Sequence, residues 1–70
     1  MTLNYTMEGE ASIITIKTDR SPKRGDRVIL PEYVVKRTWP AHVPAAFRSS
    51  FLVDTVTPLS EDEFNITLSR

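Results

Sequence analysis

The sequence predicts a small all-β domain: an antiparallel β-barrel or sandwich of the SH3-like or OB-like kind, with at most one short helical turn. Three observations predict it. Apolar and polar residues alternate with period two near both ends of the chain, β-branched residues are dense in between, and glycine, proline and acidic turns separate these runs. Seventy residues make a single domain, 1–70. A chain of this size buries only about 60% of the surface its unfolded form exposes, so its independent stability is marginal.

At the start, Leu3, Tyr5 and Met7 alternate with Thr2, Asn4 and Thr6, the pattern of a half-buried strand, and Glu8-Gly9-Glu10 interrupts it as a turn. Ala11 to Thr18 carries Ile13, Ile14 and Ile16 with Thr15 and Thr18. That β-branched density disfavours helix and predicts a strand covered on much of both faces. Asp19 to Asp26 reads as a polar loop. In Lys23-Arg24-Gly25-Asp26-Arg27-Val28-Ile29-Leu30 a charged turn hands over to an apolar strand: Gly25 can take positive φ, Asp26 can cap the turn, and Val28 to Leu30 favour extended backbone.

Pro31 cannot donate to a ladder, so the strand ends, bends or lies on an edge there. Tyr33 to Trp39 has strand propensity and reads as extended, with Tyr33, Val35, Arg37 and Trp39 on one side. The region 31–49 as a whole is a proline-broken connection, and Pro44 could open a single helical turn over Ala45 to Arg48. Ser50 to Thr57 is extended, Pro58 stops it, Leu59 to Glu63 turns, and Phe64, Ile66 and Leu68 alternate in a final strand. The chain therefore closes on an antiparallel hairpin. The predicted core is Ile14, Ile16, Val28, Leu30, Phe51, Val53, Val56, Phe64, Ile66 and Leu68. Regular alternation cannot put Val53 and Val56 on one face, so a bulge, a twist or two-sided burial is expected in that strand.

The chemistry-bearing residues are sparse. There is no cysteine and one histidine, His42, which sits among prolines and reads as exposed or packing rather than catalytic. No cofactor, metal or catalytic site is expected, and Glu61-Asp62-Glu63 reads as a solubilising turn because it lacks the glycine and spacing of a calcium loop. Arg24-Gly25-Asp26 spells an adhesion tripeptide that the turn explains fully, and Asn65-Ile66-Thr67 reads as the outward side of a strand rather than a glycosylation acceptor. No run is long and apolar enough to span a bilayer and no signal-peptide pattern opens the chain, so a soluble protein made without export is expected.

Nine basic and nine acidic residues cancel, which removes an overall field for nucleic acid. Their placement is uneven: Lys17, Arg20, Lys23, Arg24, Arg27, Lys36, Arg37 and Arg48 occupy the middle, with Glu8 and Glu10 before them and Asp54, Glu61, Asp62 and Glu63 after. This is either a solvated mixture or a dipolar protomer that docks basic side to acidic side. Tyr33, Arg37 and Trp39 near Lys36 form the one aromatic-basic cluster, which suits either core and subunit-interface anchors or bases stacked on an OB-like sheet. Interface candidates are thus Lys23, Arg24, Arg27, Tyr33, Arg37, Trp39, Glu61, Asp62 and Glu63.

Four stretches in order carry a resemblance: Ser12 to Asp19, ending in Thr-Asp; Pro22-Lys23-Arg24-Gly25-Asp26-Arg27-Val28; Phe51-Leu52-Val53-Asp54-Thr55-Val56-Thr57-Pro58; and Ile66-Thr67-Leu68-Ser69-Arg70. Together they resemble the head–tail joining (neck or stopper) proteins of long-tailed phages, the lambda type. The chain departs from that pattern at Pro31 to Ser49, where the family has a short turn. The resemblance implies a virion assembly protein, made in the host cytoplasm and not an enzyme. It implies six copies in a ring that joins portal or neck proteins to tail proteins and helps close the DNA channel, with passing contact to the packaged DNA. The reading from another class is a single-stranded nucleic-acid-binding or regulatory β-barrel module using Tyr33, Lys36, Arg37 and Trp39. A buried Trp39 favours assembly, and an exposed one beside Tyr33 favours stacking.

Overall fold

A computed structural model describes residues 1–42 and 50–69. The chain is mostly β with one short helix, and its sheet curls into a half-barrel. The elements are β1 (Thr2–Met7), β2 (Ile14–Lys17), β3 (Arg27–Ile29), α1 (Glu32–Thr38), a 3-10 turn at Pro40–His42, β4 (Ser50–Pro58) and β5 (Glu63–Ser69). The five strands lie in the order β2-β1-β5-β4-β3, so β2 and β3 are the two edges and the last strand of the chain sits in the middle.

The hairpin β1–β2 is antiparallel, with Leu3 opposite Ile16 and Tyr5 opposite Ile14. Gly9 makes its turn at φ +84°. The closing hairpin β4–β5 is also antiparallel, with the expected irregularity: the register shifts between Val53 and Thr55, so Val53 faces Leu68 and Val56 faces Ile66 on the same side of the sheet. An extra residue at Asp54 restores the face that simple alternation would have lost. The sheet is not purely antiparallel, because β1 and β5 run parallel, Tyr5 opposite Ile66 and Met7 opposite Leu68. A parallel pair needs a long crossover, and the whole chain between the first and last strands supplies it.

The charged turn before β3 folds as its residues suggest. Gly25 has φ +91°, and the Lys23 N–H donates to Asp26 Oδ2 at 2.9 Å. The turn is stitched to β4 by Gly25 N–H to the Val53 carbonyl at 2.9 Å and Val53 N–H to the Asp26 carbonyl at 2.8 Å.

Two expectations are corrected. Residues 33–38 are not extended but lie in α1, which is why the fold is not all-β. Val35 and Trp39 are four apart and share a face in a strand or in a helix alike; what distinguishes the two is Tyr33 and Arg37. Both of those are exposed, whereas Val35 and Trp39 are wholly buried. After Pro31 ends the strand, a helix satisfies its own backbone while covering the open apolar side of the sheet. The single helical turn expected at Ala45 to Arg48 lies outside the described residues. The second correction concerns β2, which is an edge strand covered on one face: Ile14 is buried, yet Ile13 is 55% exposed.

The core consists of Leu3, Tyr5, Met7, Ile14, Leu30, Val35, Trp39, Phe51, Val53, Ile66 and Leu68, with Ile16, Val28, Val56 and Phe64 packed against it in part. Six of the ten predicted core residues belong to it, and the other four are those packed against it. Leu3, Tyr5 and Met7 from β1, and Val35 and Trp39 from the helix, complete it. The Trp39 ring meets Phe51 edge-on, with centroids 6.0 Å apart and an interplanar angle of 89°, a favourable aromatic geometry. Its indole Nε1 donates to the Ser12 carbonyl at 2.8 Å.

Candidate interaction surfaces

The nine candidate residues do not form one site. Lys23, Arg24 and Arg27 are exposed around the turn that enters β3, and Arg27 Nε donates to Ser50 Oγ at 3.2 Å. Glu61 and Asp62 are exposed in the β4–β5 turn, and Glu63 is half-buried at the start of β5. This acidic turn is held to the chain start: Thr2 N–H donates to the Asp62 carbonyl at 2.7 Å, and the Met1 ammonium lies 3.8 Å from Asp62 Oδ1. Glu63 accepts a bond from Asn4 Nδ2 at 2.9 Å.

The basic and acidic turns stand apart on the protomer. The first is bonded to Val53 and the second begins after Pro58, a separation of roughly 16 Å at about 3.3 Å per strand residue. Among the described residues Met1 is paired with Asp62, and His42 lies against Glu10. Neither engages Lys23, Arg24 or Arg27.

The aromatic-basic cluster is dismantled by the helix. Tyr33 is 68% exposed and Trp39 fully buried, while Lys36 and Arg37 are exposed in the last turn of α1. Trp39 is therefore the core anchor of the two alternatives, and no flat Tyr33–Trp39 platform exists.

Two features were not legible in the sequence. His42 Nε2 lies 3.2 Å from Glu10 Oε2, tying the 3-10 turn to the β1–β2 turn, while His42 Nδ1 is buried without a hydrogen-bond partner among the described residues. The second is a cavity of about 360 Å³ at the seam where the half-barrel stays open. Leu3, Tyr5, Ile16 and Leu30 line its apolar part, and Thr18, Arg20, Ser21 and Asp26 stand with Pro22 and Ile29 around it. Burial raises the Tyr5 hydroxyl above the usual tyrosine value, because the anionic form would lose its hydration there. The alternation of β1 predicted that Tyr5 points inward, but the cavity depends on how β2 and β3 are held apart.

The remaining outward face of the sheet is a polar ladder. Thr15 Oγ1 donates to Asn4 Oδ1 at 3.0 Å, and Asn4 Nδ2 donates to Asn65 Oδ1 at 3.2 Å. Among the described residues no group of three or more His, Cys, Asp or Glu side chains could hold a metal ion, and no helix is long and apolar enough to cross a membrane. Compared with family models, curated proteins and solved structures, the chain matches none.

Proposed function

We propose that this protein is an assembly subunit that works by protein–protein contact, and that its setting is the head–tail junction of a phage particle. The observation that carries the first part is the separation of exposed charge: a basic turn at Lys23, Arg24 and Arg27, in no ion pair among the described residues, and an acidic turn at Glu61 and Asp62, where Asp62 meets the Met1 ammonium, the two turns too far apart on one protomer to pair. Between protomers the same charges dock basic side to acidic side, which gives direction and register to a ring or stack. The burial of Trp39 supports assembly over base stacking. The setting at the neck, with portal and tail proteins as partners and a ring of six, rests on the resemblance of the four sequence stretches given above.

The test is the double charge reversal Arg24→Glu with Arg27→Glu. Both side chains are exposed, so thermal stability is expected to change by less than about 0.5 kcal/mol. In a complementation assay the variant is expected to accumulate filled heads and free tails. Normal particle yield would remove charge docking from the proposal. Loss of a nucleic-acid-binding activity with normal particles would favour the binding-module reading.

A further inference from the structure

We infer that the open seam of the half-barrel receives an extended segment of a partner protein, which adds as a strand to the free edge of β2 and alternates apolar with acidic side chains. This rests on the reading of the protein as one that acts through protein contacts, and it names the surface and the chemistry of the partner.

Hydrogen bonding along β2 shows what the edge offers. Met1 and Thr18 exchange bonds, Thr18 N–H to the Met1 carbonyl at 3.0 Å and the Met1 ammonium to the Thr18 carbonyl at 2.9 Å. Counting back along the register, Leu3 with Ile16 and Tyr5 with Ile14 are also the hydrogen-bonded pairs. The N–H and C=O groups of Thr15 and Lys17 must then point away from the sheet. Since among the described residues β2 pairs with β1 alone, they are open to another strand.

The cavity lies beside this edge. Side chains on an added strand that stand next to Ile16 project to the core side, where Ile16, Leu3 and Leu30 line the cavity. Tyr5 lines it too, with its ring buried. Side chains on the other face of the added strand stand next to exposed Thr15 and Lys17, and Arg20, exposed and in no ion pair among the described residues, stands at the cavity rim, where Asp26 is engaged by the Lys23 N–H. Apolar inward and acidic outward is the pattern that fits both sides. At the opposite edge, β3 is three residues long and is followed by Leu30 and then Pro31, which has no N–H to give.

The experiment uses the full chain and a capped hexapeptide alternating valine and glutamate, followed by amide NMR. Saturable binding is expected, with slowed exchange at the Thr15 and Lys17 amides. Two further peptides, N-methylated on one or the other alternate set of amides, separate ladder pairing from simple charge attraction. One of them should bind at least about tenfold more weakly. Arg20→Glu with Lys17→Glu should weaken the unmodified peptide by a similar factor while leaving the spectrum of the free protein folded. The inference is overturned if no binding occurs at millimolar peptide, if both methylated peptides bind like the parent, or if the shifts centre on the basic turn or β3. It is also overturned if hexanoate, which can fill a cavity but not extend a sheet, binds as well as the peptide. Particle assembly in the Arg24 and Arg27 variant answers a different question, so either idea can fail alone.

Discussion

Trp39 closes the core with a fully buried ring and holds the β1–β2 connection through its bond to the Ser12 carbonyl. Trp39→Phe keeps an aromatic ring but removes that donor and some volume. It is expected to cost about 2–4 kcal/mol, measured as a fall in the urea midpoint, because a carbonyl loses its partner and a void is left. Tyr5 sets a different dependence. Burial raises its hydroxyl above 10.0, so its neutral form is favoured in the folded state. The stability tied to that difference is fully present below pH 10 and is lost as the pH rises through the raised value. Stability measured between pH 8 and 12 should fall more steeply in the wild type than in Tyr5→Phe, and parallel curves would remove the assignment.

Among the elements, β4 and α1 show how local rules and burial interact. The bulge at Asp54 lets Val53 and Val56 share the core face. Deleting Asp54 leaves those valines two apart, which a regular strand also places on one face, so the fold should survive. Deleting Thr6 from regular β1 moves Met7 off the core face and should unfold the protein. Far-UV circular dichroism of the two deletions checks the contrast. Ile66, fully buried in the central strand, should cost about 2–5 kcal/mol on replacement by Ala, enough to unfold much of so small a domain.

At the scale of the whole molecule, β5 connects the two halves by pairing with β1 on one side and β4 on the other. No half can keep its sheet without the other, and α1 is too short to persist alone. Unfolding should therefore be a single transition, with Trp39 fluorescence and far-UV circular dichroism giving the same midpoint. A helix signal lost at lower denaturant than the strand signal would show that α1 is a separable cover.

Period-two alternation in Thr2–Met7 and in Glu63–Ser69, the β-branched run before Lys17 and the Gly25-Asp26 turn are local properties of the chain, and they determined the strands, both hairpins and the valine mismatch that demands a bulge. Exposed charge in the turns was equally local, because turn residues reach solvent in almost any packing. Tertiary structure decided the rest. Val35 and Trp39 satisfy two periodicities at once, and the uncovered apolar side of the sheet resolved them as helix. The parallel pairing of β1 with β5 joins residues about sixty positions apart, a choice that local propensity does not encode. The cavity and the free edge of β2 exist because the sheet curls without closing, which depends on every strand at once rather than on any residue's own preference.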